Sequence, residues 1–226
     1  MTALVWYAAY GSNLSAARFR HYIEGGRPAG AQRTYPGARD PSAPLADEPL
    51  WLPGSVYFAL QSTVWGGGMA FYDRDAPGKT PARAYLLTVG QFSDVAEQEM
   101  HRPPSSDLAV ADAVASGEHR YGPGRYETLV SCGERLGHPV LTLTAPWRLG
   151  DVPLVAPSAP YLAMLGAGLV EAHGWSAGRA AAHLAGLPGA VGAWSERAVR
   201  DVLSAGTAGS GGGRGEQAGG RQGAAR

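Results

Sequence analysis

Two places in this chain carry residue types that do chemistry. The first is Tyr10-Gly11-Ser12-Asn13, where an apolar and aromatic run beginning at Ala3 stops at a glycine and passes at once into residues that start helices. Gly11 permits a tight turn, and Ser12 or Asn13 supplies the side-chain oxygen that caps a helix predicted over 14–24. Strand, glycine turn and capped helix together aim backbone N–H groups and a positive dipole end at one point, a place for a carboxylate or another anion. From spacing alone, the segment reads first as an ordinary strand-to-helix turn with a good cap. The second place is Glu99. At about 100° per residue, a helix over 91–100 sets Phe92, Val95, Ala96 and Glu99 on one stripe. The carboxylate is therefore expected on the buried face, with Glu97 and Gln98 turned toward solvent or a supporting position. Burial disfavours a charged carboxylate and lifts its pKa toward the range where a general acid/base works. The alternative is a buried glutamate satisfied by a backbone donor or by an arginine such as Arg83.

The elements that position these residues read as a mixed α+β domain, because strands alternate with only a few helices. The N-terminal run is a short buried strand, and the first helix turns Leu14, Ala17, Phe19, Tyr22 and Ile23 to a core before stopping at Gly25-Gly26. Residues 30–53 are proline-rich and polar and read as a long surface connection. Strands follow over 55–60, 68–72 and 82–89, then the helix of Glu99, then a second loop over 102–124. A strand pair over 126–132 and 140–143 turns around Gly133 and Gly137, and helices close the domain over 160–173, 176–187 and 195–204. Residues 204–226 hold nine glycines, three arginines and no apolar side chain larger than alanine, so a domain over 1–203 with a disordered tail is expected. The glycine run 66–68 lacks the Lys-Ser/Thr of a phosphate loop and reads as a strand that another segment approaches closely, or as a bulge.

Composition removes several function classes. Lys plus Arg and Asp plus Glu number 19 each, so nothing favours nucleic acid or an anionic membrane as partner. The single cysteine, Cys132, rules out an intrachain disulfide and reads as a small core residue, as Trp175 and Trp194 read as core. The six histidines show no H-E-x-x-H or H-x-H spacing, so no metal and no cofactor is expected, and Ser12 lacks the G-x-S-x-G elbow of a serine hydrolase. The apolar start is too short to span a bilayer and lacks a basic leader, which gives a soluble, cytoplasmic expectation with the oligomeric state open.

Tyr7-Ala8-Ala9-Tyr10-Gly11-Ser12-Asn13-Leu14 resembles the Y-F-A-Y-G-S-N-[LM] signature of gamma-glutamylcyclotransferase-like proteins, which include the butirosin-biosynthesis cyclotransferase and avirulence-induced-gene-like proteins. Trp65-Gly66-Gly67-Gly68-Met69-Ala70 is similar to that family's W-x-G-G-x-A strand, Asp94 to Glu99 to its L-D-x-x-E helix, and Pro157-Ser158-Ala159-Pro160-Tyr161 to its P-S-x-x-Y segment. The resemblance covers roughly residues 5 to 185. It implies a small twisted barrel-like mixed sheet flanked by helices, with Glu99 as catalytic acid/base and a binding site from Tyr10, Gly11, Ser12, Asn13, Leu14, Gly67 and Tyr161. It implies a small-molecule gamma-glutamyl substrate, converted to 5-oxoproline and a free amine without metal or nucleotide. A non-catalytic binder of an amino-acid-like ligand, or an amidase or acyltransferase using the same glutamate, are the alternatives. The chain departs from the family pattern at Met100 and His101, where a glycine usually follows the glutamate and where two larger side chains narrow the site. It also departs at 140–143, which carries no tyrosine. Asn13 separates the chain from branches specific for glutathione or glutamylamines.

Overall fold

The computed structural model describes residues 3–28 and 34–209. A six-stranded mixed sheet forms the centre, with strand order β2-β5-β1-β8-β7-β6. In chain order these strands are β1 (Leu4–Ala9), β2 (Ala46–Pro53), β5 (Lys79–Thr88), β6 (Glu118–Arg120), β7 (Thr128–Arg135) and β8 (His138–Thr144), while β3 (Ser55–Gln61) and β4 (Gly68–Asp73) make a separate two-stranded sheet. β1 lies antiparallel to β5 and parallel to β8, and the remaining pairings are antiparallel. The α+β architecture with a mixed sheet flanked by helices is as the sequence predicts. The sheet is open, however, and does not close into a barrel: β2 and β6 end it.

Helices α1 (Ala16–Glu24), α2 (Val89–Glu99) and α3 (Val110–Ser116) are joined at the C-terminal side of the chain by α4 (Ala159–His173), α5 (Ala177–Ala185) and α6 (Glu196–Gly209). The two faces of β1 show why its run is apolar throughout. Trp6, Ala8 and Tyr10 join the core with α4, α5 and α6, while Val5, Tyr7 and Ala9 join the core with α1, α2 and α3. A strand covered on both faces needs no polar side, so it reads as a continuous hydrophobic run.

Four sequence expectations are corrected. Residues 46–53 form β2, not loop: β2 pairs with β5 from Ala46 opposite Leu86 to Pro53 opposite Lys79. Pro49 and Pro53 hide it from a sequence reading, and both are tolerated because β2 is an edge strand whose outer N–H groups have no ladder to join. The loop over 102–124 contains α3 and β6. The first helix begins at Ala16 with Ser15 as its cap, after a separate 3₁₀ turn at Ser12–Leu14, and Ala17 is exposed. Residues 204–209 continue α6, and the rest of the expected tail lies outside the described residues.

The small sheet is tied to the large one by Thr144, which donates its hydroxyl to the Tyr72 carbonyl at 2.8 Å and accepts from the Tyr72 amide at 3.0 Å. Its glycine run is a close approach, as expected: a Cβ at Gly67 would lie 2.6 Å from the Ser158 nitrogen, and one at Gly68 would run into the Val155 carbonyl. The Gly68 amide donates to the Ala156 carbonyl at 2.8 Å.

Candidate active site

A cavity of about 980 Å³ opens where β1 and β8, the parallel neighbours, reach their C-terminal ends. Tyr10, the residue after β1, donates its hydroxyl to the Leu143 carbonyl at 2.7 Å and so fixes the start of the loop to β8. Gly11 then turns the chain beside the Tyr161 hydroxyl, and the Leu14 amide closes the 3₁₀ turn on the Gly11 carbonyl at 3.0 Å. The turn rests on α4 at a glycine, because a Cβ at Gly168 would lie 2.5 Å from Leu14 Cβ. Ser12 and Asn13 do not cap α1; that task falls to Ser15.

Asn13 instead turns its side chain to the end of α2. Its Nδ2 donates to Glu99 Oε1 at 2.9 Å and lies 3.3 Å from the Tyr7 hydroxyl, while its backbone carbonyl accepts from the Tyr85 hydroxyl at 2.8 Å. Its Oδ1 is buried and makes no hydrogen bond among the described residues. α2 is set by a capping box, in which Thr88 Oγ1 accepts from the Gln91 amide at 3.1 Å and Gln91 Oε1 accepts from the Thr88 amide at 3.2 Å. Phe92, Val95 and Ala96 are fully buried, and the stripe they form delivers Glu99 to the cavity as the last residue of the helix.

The expected contrast along α2 is corrected. Glu99 is half-buried at the cavity, whereas Gln98 is fully buried and Glu97 is 7% exposed. The reason is that α2 is covered on its outer side too. Gln98 Nε2 donates to the Tyr22 carbonyl at 2.9 Å, Gln91 Nε2 to the Ser42 carbonyl at 2.8 Å, and Asp94 accepts from the Arg39 amide at 2.7 Å and from Arg39 Nε at 2.8 Å. Asp94, the aspartate of the L-D-x-x-E resemblance, therefore holds a loop. Arg83 is not the partner of Glu99; it pairs with Glu171 at 2.6 Å and Asp47 at 2.9 Å.

Six tyrosines line the cavity: Tyr7, Tyr10, Tyr22, Tyr35, Tyr126 and Tyr161. Burial first, and the Glu99 carboxylate second, hold the Tyr7 and Tyr22 phenols above their ordinary range. Burial, with Glu99 a smaller contributor, does the same for Tyr161. These hydroxyls stay protonated beside the carboxylate. Tyr161 accepts the Ala70 amide at 3.4 Å and stacks on Trp65 with ring centroids 5.1 Å apart. Trp65 is presented by the turn 62–67, in which Ser62 Oγ accepts from the Trp65 amide at 2.9 Å.

Of the residues expected at the site, Glu99, Tyr10, Gly11, Ser12, Asn13 and Tyr161 line the cavity together. Leu14 lies 2% exposed in the core against α4, and Gly67 packs on the backbone of 156–158; neither lines it. Of the two side chains expected to narrow the site, His101 lines the cavity, whereas Met100 is 7% exposed in the core. Sequence reasoning missed Tyr7, Tyr22 and above all Arg18. Its signal was there: Ser15, Arg18 and Tyr22 recur at the helical spacing of one face, and that face looks into the cavity. Cys132 is half-buried with its thiol pushed up to about 11 by burial. Among the described residues no group of three or more His, Cys, Asp or Glu side chains is placed to hold a metal ion, and no helix is long and apolar enough to cross a membrane.

No family model matches the chain. A curated relative, histone deacetylase 5 of Arabidopsis thaliana, is 34% identical over 187 residues, which is 74% of this chain. The chain spans 28% of the length of that relative. Among solved structures, an uncharacterized human protein is similar over 89% of this chain and 98% of its own, at 19% identity and a TM-score of 0.47. YkqA from Bacillus subtilis is similar over 82% of this chain and 55% of its own, at 17% identity and a TM-score of 0.41. Gamma-glutamyl cyclotransferase stands beside them among the solved structures to which the chain is similar, over 89% of this chain and 99% of its own, at 17% identity and a TM-score of 0.45.

Proposed function

We propose that this chain is a gamma-glutamyl cyclotransferase-type enzyme, acting on a gamma-glutamyl amine, amide or peptide. The observation that carries the reading is Glu99, a carboxylate delivered by a buried helical stripe into a tyrosine-lined cavity and held there by Asn13 of the Tyr-Gly-Ser-Asn loop. The sequence motifs that resemble that family supply both residues.

In this mechanism Glu99 takes a proton from the substrate α-ammonium, and the freed lone pair attacks the γ-carbonyl carbon of the same molecule. A ring C–N bond forms and the carbonyl oxygen becomes an oxyanion, which hydrogen-bond donors of the loop stabilise most if they are already in place. Collapse breaks the amide C–N bond. Both protons lost by the α-nitrogen end on the leaving amine, Glu99 relaying them, and the products are 5-oxoproline and the amine. Nucleophile and electrophile belong to one molecule, so holding the folded near-attack conformer accounts for much of the rate.

Purified protein incubated with a panel of gamma-glutamyl compounds, with and without a strong chelator, tests this. The expected result is 5-oxoproline at equal rates in both, and loss of about 10²-fold or more in Glu99→Gln with an unchanged melting curve. Free glutamate as product would mean that water attacked and would point to an amidase. No turnover, with thermal stabilisation by glutamate, would favour the non-catalytic binder.

A further inference from the structure

The cavity holds a second charged group that the mechanism above leaves unused. Arg18 Nε donates to Ser12 Oγ at 2.9 Å and its Nη2 to the Tyr35 hydroxyl at 2.8 Å. The guanidinium carbon lies 5.3 Å from the Trp65 ring centroid and 5.8 Å from that of Tyr35. Among the described residues its partners are hydroxyls and rings, none of them a carboxylate. That is unusual company for a buried or half-buried cation, which as a rule has an anionic partner. Two of the five N–H donors of an arginine are used, and the rest remain for a planar, two-oxygen acceptor.

Arg18 and Glu99 flank the same two residues. Ser12 accepts from Arg18, and its neighbour Asn13 donates to Glu99. Among the described residues, Arg18 and Glu99 are also the cation and the carboxylate of the cavity wall, the two histidines apart. An α-amino-acid head carries its ammonium and its carboxylate on one carbon. With the ammonium at Glu99, the attached carboxylate needs a cation within reach, and Arg18 is bound to the loop residue next to the one that holds Glu99. The Asn13 Oδ1 left without a partner adds an acceptor for the ammonium.

We propose that Arg18 binds the α-carboxylate of the ligand, so that Arg18 and Glu99 together select a free α-amino-acid head; the identity of the head as gamma-glutamyl rests on the reading above. Compounds lacking the α-carboxylate lose this contact, while variation in the leaving amine leaves it untouched.

The test is an equilibrium measurement. Calorimetric titration of 5-oxo-L-proline and of 2-pyrrolidinone, the same ring without its carboxylate, is made on the full chain and on Arg18→Met and Arg18→Lys. The expected result is a loss of about 10- to 100-fold in 5-oxoproline affinity in Arg18→Met, partial recovery in Arg18→Lys, and unchanged 2-pyrrolidinone affinity throughout. Equal 5-oxoproline affinity in all three proteins, an equal drop for both ligands, or no binding of 5-oxoproline by the unsubstituted chain would each overturn the proposal. Binding is read without turnover. A chain that binds through Arg18 but releases no 5-oxoproline would sink the cyclotransferase reading alone.

Discussion

Asn13 and Glu99, 86 residues apart in the chain, meet side chain to side chain at 2.9 Å, with the amide as donor and the carboxylate as acceptor. The direction is forced. An ionised carboxylate only accepts, so the asparagine must present nitrogen to Glu99 and to the Tyr7 hydroxyl, and its oxygen is left over.

Replacing that donor by a second carboxylate reverses the electrostatics at Glu99. In Asn13→Asp two like charges share hydrogen-bond distance, and such a pair retains a proton to higher pH than either group alone. The acidic limb of the activity profile is expected to move upward by on the order of one pH unit. Asn13→Ala removes the donor without adding charge and is expected to lower turnover by roughly 10-fold or more. Rates measured from pH 5 to 9 decide this; an unmoved limb in Asn13→Asp would mean that the contact does not tune the reaction.

Gly168→Ala tests whether α4 positions the loop. The added methyl would sit 2.5 Å from Leu14 Cβ and 3.0 Å from the Leu14 carbonyl carbon, so either the helix or the 3₁₀ turn must move. Overpacking of this kind costs about 1–3 kcal/mol. The expected outcome is a lower melting temperature together with weaker ligand binding, since Ser12 and Asn13 travel with Leu14. A variant that loses stability but binds 5-oxoproline as before would show that the turn is not held by α4.

His183 sets an acid limit on stability. Burial, and then the neighbouring His173 and Arg179 charges, push its imidazole down to about 4, from an unfolded value near 6.5. The folded-state value is the lower one, so on acidification the unfolded chain takes up the proton first. Stability is complete above pH 6.5 and is lost as pH falls from there toward 4, by about 2 kcal/mol between pH 7.5 and pH 5 from this group. Denaturant melts of the natural chain and of His183→Gln at those two pH values measure the difference. Equal pH sensitivity in both proteins would contradict the assignment.

The parts of the fold legible in sequence are those where one local rule acts alone. The run into Tyr10 and the stripe of Phe92, Val95 and Ala96 each follow from a single periodicity. β2 was hidden because its prolines obey the rule for an edge, and an edge is a property of the assembled sheet. The burial of Glu97 and Gln98 was hidden for a similar reason: the segment around Arg39 to Ser42 that covers α2 has no periodic signal of its own. At the site, the sequence singled out Glu99 and the Tyr-Gly-Ser-Asn loop, which share one cavity. It passed over Arg18, because an arginine on an amphipathic helix ordinarily means solvent, and only Tyr35 and Trp65, brought from elsewhere, make it a cavity residue.

The bond from the Tyr10 hydroxyl to the Leu143 carbonyl joins positions 133 residues apart, and Tyr161 must still arrive beside Gly11. A contact of such long separation closes a large loop of chain, and the entropy of that closure is lost before the contact rewards it. The scaffold meets the same cost, because the parallel pairing of β1 with β8 sets Trp6 opposite Val140. Any fragment that ends before Tyr161 lacks one wall of the cavity, and one that ends before β8 also lacks the parallel neighbour of β1 in the sheet.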